Sequence, residues 1–354
     1  MLHSLNVGAN IYKYELIKKI GGGNFGHVWI AKDHTLDKEV AVKILDDTKE
    51  PVFKHLQEAK YGNCVVHQNV VHVHYADVIE HNRSNLVIIA MDFHPLGSVL
   101  SELNSANYVE IKRATKIAID VLKGLEYLHE NNIFHNDIKP SNILISNTKN
   151  ALLTDYGISI QTKNLQPILS PNSYRLHAAP ETLTTQNISV QTDIYQLGLT
   201  FYRLINGIGN IKDLRATLGE DEFNKAKKSG GLLTSKDFLP FVPTNLRKII
   251  LKAINADPLQ RFQTALEMRK ELERVALYGF WTINDVGAEI GKLNSNTYSY
   301  EQAKKNGNIE FIPFKTSISG RKTKIHSRIE ICKDSSKFEK VKSKFMQDVV
   351  LGKL

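Results

Sequence analysis

The sequence predicts an α+β chain, and three observations predict it. Short apolar strands and a glycine cluster fill the stretch from Tyr12 to about Glu80. Helical apolar spacing then dominates as far as about Arg274. From Leu277 onward strand-like alternation returns and ends on one helix-like segment. These divide the chain into a large domain, 12–276, and a small basic α+β module, 277–354.

In chain order, Val52–Tyr61 has apolar spacing near the helical period and reads as a single helix among the first strands. Leu86–Met91 is a continuous apolar run of the kind a buried strand shows. Tyr108–His129 reads as a helix with Ile111, Ala114, Ile117, Ala118, Val121 and Leu125 on one face. Phe262, Ala265, Leu266, Leu272 and Val275 close the helical stretch, and the aromatic residues Tyr278, Phe280 and Trp281 mark the join. In the module, Thr297–Glu301, Ile309–Phe314 and Lys324–Ile331 read as three strands turning at Gly307 and Gly320, with a helix over Phe338–Val350.

At 354 residues, with 42% hydrophobic and 23% charged, the chain can bury a large core, which excludes a disordered or collagen-like protein. No apolar run approaches the ~20 residues of a membrane span, and Met1-Leu2-His3-Ser4-Leu5-Asn6 lacks a signal-peptide pattern, so the expectation is a soluble, cytoplasmic protein. Cys64 and Cys332 match no metal or redox spacing, in keeping with a reducing compartment. The net charge of +9 is uneven: residues 277–354 hold 14 Lys/Arg against 8 Asp/Glu, so most of the excess lies in the module. That asymmetry suits an anionic partner, nucleic acid or an acidic protein surface, as well as a merely solvated basic face.

The chemistry-bearing residues come in a fixed order. Gly21-Gly22-Gly23-Asn24-Phe25-Gly26 lies between strand-like segments, where side-chain-free positions at Gly21, Gly23 and Gly26 let main-chain amides approach nucleotide phosphates. A plain hairpin would use the same residues; a dinucleotide-binding loop would need a helix next, whereas Val28-Trp29-Ile30-Ala31 continues as strand. The strand Val40-Ala41-Val42-Lys43 brings Lys43 out beneath the glycines, and Glu58 on the Val52–Tyr61 helix is positioned to hold it as a fixed charge; alone, each would be a solvated side chain. Then follow His135-Asn136-Asp137-Ile138-Lys139-Pro140-Ser141-Asn142 and, thirteen residues beyond Asn142, Asp155-Tyr156-Gly157. Two carboxylates, an amide and an amine can divide the work of moving a phosphoryl group. One carboxylate orients the attacking hydroxyl and accepts its proton, while the other and an amide oxygen hold magnesium ions. Taken singly, these residues are also common in cores and tight turns.

In this order and spacing the chain resembles a eukaryotic-type protein kinase over roughly three quarters of its length. The resemblance implies the bilobal protein kinase fold, a strand-rich N-lobe and a helical C-lobe, with ATP and Mg2+. It places Gly21, Gly23 and Gly26 over the phosphates, Val28 and Ala41 beside the nucleotide, and Lys43 on the α/β-phosphates with Glu58 as its partner. Met91 would guard the back of the adenine pocket, and Asp92, Phe93 and His94 would form the hinge whose main chain binds adenine. Asp137 would be the catalytic base, Lys139 a contact to the transferred phosphate, and Asn142 and Asp155 the magnesium ligands. Lys139 two residues after Asp137 is similar to the pattern of serine/threonine rather than tyrosine kinases. Ala179-Pro180-Glu181, the helix from Asp193 to Gly198, and Arg261 as the partner of Glu181 are implied as structural supports.

The match departs in places. Asn136 stands where the family often has an arginine that receives an activation-segment phosphate, so switching through Thr162, Ser170, Ser173 or Tyr174 is not expected. Tyr156 replaces the commoner phenylalanine, and the segment Ser173–Glu181 aligns poorly with the family's substrate-binding end, which leaves substrate preference open. The module's three strands and basic helix loosely resemble double-stranded-RNA-binding domains, against the alternative of a docking or packing scaffold. The functional expectation is therefore a serine/threonine protein kinase, with a pseudokinase scaffold presenting the module as the alternative.

Overall fold

The computed structural model describes residues 5–23, 26–46, 66–81, 84–155, 160–161, 164–169, 175–284 and 287–354. The chain divides into two compact units, one of Met1–Ser101, Asp120–His177 and Thr185–Asp193, the other of Glu102–Ile119, Ala178–Thr184 and Ile194–Leu354. The expected helix Val52–Tyr61, with Glu58, lies outside the described residues, as do Cys64, Asn24, Phe25, Tyr156, Gly157, Thr162, Ser170, Ser173 and Tyr174.

The first unit opens with an antiparallel sheet of β1 (Asn10–Ile11), β2 (Tyr14–Gly23), β3 (Gly26–Asp33), β4 (Lys38–Asp46), β5 (Val73–His81) and β6 (Ser84–Asp92), in the order β1-β2-β3-β4-β6-β5. Period-two alternation sends Leu16, Trp29, Val40, Val42, Ile44 and Ile88 into one core on one face. Val28 lies opposite Lys43 and Ala41 opposite Met91, so all four share the other face. The sheet begins earlier than expected, because β1 adds an edge and Leu5 joins the core. Two residues of strand are too few to show a periodicity.

A long helix, α1 (Ile111–Glu130), buries every apolar residue predicted for its inner face. It starts three residues later than expected, and the Val109 N–H ahead of it is donated to the Leu204 carbonyl at 2.6 Å. Three short antiparallel pairs complete the first unit: β7 (Ile133–Phe134) with β10 (Ile160–Gln161), β8 (Ile143–Ile145) with β9 (Ala151–Leu153), and β11 (Ile168–Leu169) with β12 (Asn187–Ile188).

Helices α2 (Val190–Asn206), α3 (Asn210–Leu218), α4 (Glu220–Ser229), α5 (Thr244–Ala253) and α6 (Ala265–Glu273) follow. Ala265, Met268 and Leu272 form the buried stripe of α6, whereas Leu266, expected in the core, is 38% exposed because it sits one residue off that stripe.

The module has more strands than the three expected. A meander of β13 (Phe280–Ile283), β14 (Glu289–Leu293), β15 (Asn296–Lys305), β16 (Asn308–Thr316) and β17 (Lys322–Lys324) is joined by β18 (Glu330–Cys332), which also pairs with β16. The single strand expected over Lys324–Ile331 is broken between β17 and β18. Pro313 of β16 has no N–H to give the outer strand, and only its carbonyl meets the Ile325 N–H, at 2.9 Å. The count of three strands behind the likeness to RNA-binding domains is thereby corrected. Helix α7 (Ser335–Val350) covers the sheet, with Phe311 packed against Phe338 and Phe345 and the Trp281 indole N–H donated to the Met346 carbonyl at 2.9 Å. Gly291 permits this, since a Cβ there would lie 2.8 Å from the Trp281 ring. Within the second unit, Ser343 and the Gln347 amide both donate to the Pro240 carbonyl, and the Tyr108 hydroxyl donates to that of Trp281. Among the described residues no helix is long and apolar enough to cross a membrane.

Candidate active site

The loop after β7 is set by one buried carboxylate. Asp193, in the first turn of α2, accepts the His135 N–H at 3.0 Å and the Asn136 N–H at 2.7 Å, and hydrogen-bonds the His129 imidazole at 2.9 Å. Asn136 adopts φ +62°, a left-handed conformation that asparagine tolerates better than most residues. The side chain of Asp193 is fully buried, so these donors replace its lost hydration. The resemblance implies the helix from Asp193 to Gly198 as a structural support, without saying what Asp193 itself holds. Its anchoring of the loop joins residues 58 and 57 positions apart, and no local pattern carries that. The Ile138 carbonyl is held in turn by His177 at 2.9 Å, and His135 reaches the Thr154 carbonyl at 3.2 Å.

Asp137 emerges from this loop with its two carboxylate oxygens in different states. Oδ2 accepts from the Lys139 ammonium at 2.6 Å and from the Asn142 amide at 2.8 Å. Oδ1 is buried and has no hydrogen-bond partner among the described residues. An acceptor left open in a buried place is costly unless something arrives to use it.

The β8–β9 hairpin brings the next residues together. Ile143 pairs with Leu153, and the Thr154 N–H donates to the Asn142 carbonyl at 3.0 Å, so Asn142 and Asp155 leave the same end of the hairpin. The Asn142 amide nitrogen faces Asp137, which fixes the amide orientation. Lys43, 112 residues from Asp155 in sequence, donates to its Oδ1 at 2.7 Å. Burial pushes the Asp155 carboxyl up, but the Lys43 ammonium, helped by Lys139 and His135, outweighs burial and holds it at about 2. Asp155 is thus an anion at neutral pH.

Across the sheet, Val28, Ala41 and Met91 lie on the face that carries Lys43, and the Thr154 hydroxyl approaches the Met91 sulfur at 3.9 Å. Gly26 is required by packing as well as by conformation: its φ is +127°, and a Cβ would fall 2.3 Å from the Ile44 carbonyl oxygen. Gly21 and Gly23 are in β2, Gly23 opposite Gly26 of β3, so the described glycines lie on paired strands rather than at the start of a helix. The Asp92 N–H is committed to the His72 carbonyl at 3.1 Å and its carboxylate to His74 at 2.7 Å. No acceptor meets the His94 N–H among the described residues.

The family model for the protein kinase domain matches residues 14–271, nearly three quarters of the chain. The chain belongs to the protein kinase domain family. Among its relatives, serine/threonine-protein kinase PrkC of Bacillus subtilis is 30% identical over 273 residues, covering 74% of this chain and 40% of that protein. Serine/threonine-protein kinase PknB of Mycobacterium leprae is 27% identical over 279 residues, 74% of this chain and 43% of the relative. Serine/threonine-protein kinase PknJ of Mycobacterium bovis is 28% identical over 294 residues, 79% and 48%. The chain thus matches less than half the length of these relatives.

The kinase supports expected from sequence are also in place. In the second unit the Arg261 guanidinium grips Glu181 with two bonds, 2.9 and 2.7 Å, and stacks over the Tyr195 ring at 4.9 Å. The buried Lys227 donates to the Ala178 carbonyl at 2.9 Å, fixing the chain just before Ala179-Pro180-Glu181.

Proposed function

We propose that this kinase-family chain transfers the γ-phosphoryl group of ATP to serine or threonine hydroxyls of protein substrates. The observation that carries the reading is the divided carboxylate of Asp137: Lys139 and Asn142 fix one oxygen, and the other is buried and open. A hydroxyl hydrogen-bonded to Oδ1 would be oriented for attack and would lose its proton there as the new bond forms. Lys139, beside the base, meets the negative charge of the group in flight. Lys43 supplies a fixed cation for the nucleotide phosphates, beneath Gly21, Gly23 and Gly26. Val28, Ala41 and Met91 form one wall of the adenine site, with Asp92, Phe93 and His94 as its hinge and the unspent His94 N–H as a donor. Glu58 is proposed as the second partner of Lys43.

Asp155 and Asn142 suit magnesium. One is held ionised by Lys43, the other has its amide oxygen turned from Asp137, and both are hard oxygen donors at one end of the hairpin. Among the described residues no cluster of three His, Cys, Asp or Glu side chains would hold a metal. Phosphate oxygens and water would therefore complete the coordination. When bound, the ion neutralises phosphate charge.

The residue type phosphorylated tests this reading. Acid hydrolysis of labelled product should release phosphoserine or phosphothreonine; phosphotyrosine would contradict it.

Activity should not depend on an activation-segment phosphate. Asn136 has no charge to receive one, and its main chain is already held by Asp193. Phosphatase treatment, or Thr162→Ala, Ser170→Ala, Ser173→Ala and Tyr174→Phe singly, should change transfer to a generic substrate by less than about tenfold, or about 1.4 kcal/mol of barrier. A larger drop would reveal a receptor other than Asn136.

A further inference from the structure

Within the second unit, the segment 236–247 and helix α7 enclose a groove of about 920 Å³. Its α7 side repeats at helical spacing, through Ser336, Lys340, Ser343, Lys344 and Gln347, and ends on the capping residue Leu351. Five cations line it: Lys236, Arg247, Lys340, Lys344 and Lys353. The only acids among the lining residues are Asp348, paired with Arg328 at 2.6 Å, and Glu339, which lies 3.9 Å from Lys342. Arg247 spends its guanidinium on the carbonyls of Ser235, Leu239, Pro240 and Val242, so it shapes the wall. The four lysines are exposed, and none has an acidic partner among the described residues. The other two lysines of α7 are paired, Lys337 with Glu330 at 2.7 Å and Lys342 with Glu289 at 3.3 Å. Unpaired lysines of this helix are thus confined to its groove side.

Like charges gathered around a concave surface raise its affinity for an anion. Phe238, Pro240 and Leu351 add apolar lining, which an extended peptide can use and a phosphate backbone cannot. A nucleic-acid duplex also presents its phosphates on a convex surface too broad for such a cavity. We infer that this groove docks an acidic segment of the protein substrate, with Lys236, Lys340, Lys344 and Lys353 meeting its carboxylates. The inference rests on the kinase reading for the identity of the partner, and binding itself needs no phosphoryl transfer.

The full chain is titrated, without ATP, with a fluorescein-labelled peptide alternating glutamate with serine and leucine. Binding should weaken about tenfold or more in Lys340→Glu/Lys344→Glu, persist in Lys340→Arg/Lys344→Arg, and fall as salt rises from about 50 to about 500 mM. Because both lysines are exposed, the unfolding midpoint should not move. Equal binding by the wild type and the charge-reversed variant overturns the site, and duplex RNA displacing the peptide at lower concentration overturns the choice of partner. In steady-state transfer, an acidic extension on a serine peptide should lower KM about tenfold for the wild type and leave the charge-reversed variant unaffected, with kcat equal in both. Normal peptide binding with no such KM difference overturns the substrate role. A chain that binds the peptide normally yet transfers no phosphate to any substrate refutes the kinase reading and leaves the anion site standing.

Discussion

Replacing Lys43 or Asp155 with alanine should lower phosphoryl transfer by about 10²- to 10³-fold while leaving the fold intact. Each group acts on phosphate charge, Lys43 directly and Asp155 through the metal it is proposed to hold. They also pair with each other at 2.7 Å, so their losses should not add. The double variant should be little worse than the poorer single one. The Lys43 side chain is 9% exposed and that of Asp155 39%, so breaking this part-buried pair should cost the fold about 1–3 kcal/mol. Single-turnover transfer and denaturant unfolding, measured together, separate the alternatives. Activity lost in step with cooperative unfolding would assign both residues structural roles.

Arg261→Ala should destabilise the protein by about 3–5 kcal/mol. The Arg261 side chain is wholly buried, with two bonds to Glu181 and others to the Asn255 and Ala256 carbonyls. Its removal strands the Glu181 carboxylate and the two carbonyl acceptors at once. Glu181→Ala should do comparable damage by leaving a guanidinium buried without its counter-ion. Replacing both with apolar residues of similar volume, as in Arg261→Met with Glu181→Leu, should recover a large part of the loss, since the pair contributes less in net terms than breaking it costs. Guanidinium unfolding curves measure all three. A change below about 1 kcal/mol in Arg261→Ala would show that the pair behaves as a solvent-exposed one.

What could be read from the sequence follows how local the signal is. Strands β3, β4 and β6, helix α1 and the order of glycines, Lys43, Asp137, Asn142 and Asp155 carry short-range patterns and are legible in the sequence to within a few residues, whereas β2 and β5 fall only under the general expectation of strands between Tyr12 and Glu80. The groupings that create the site are long-range. Nothing near Lys43 announces that it meets Asp155, and nothing near Asp193 announces that it holds His135 and Asn136. The open oxygen of Asp137 is a property of three side chains meeting, not of any motif. In the module, β13 and β14 went unread because each is short and Gly291 interrupts the apolar alternation of the second. The opposite error, one strand drawn across β17 and β18, arose because the break is caused by Pro313 on the neighbouring strand.

The central claim is that Asp137 is the base of a phosphoryl-transfer site, and one measurement tests it most directly. The wild-type chain and Asp137→Ala are incubated with γ-labelled ATP, magnesium and a mixture of serine- and threonine-containing proteins, and incorporated label is counted. Wild-type incorporation with a loss of about 10²- to 10⁴-fold in Asp137→Ala is the predicted result. Equal incorporation by the two proteins would contradict it.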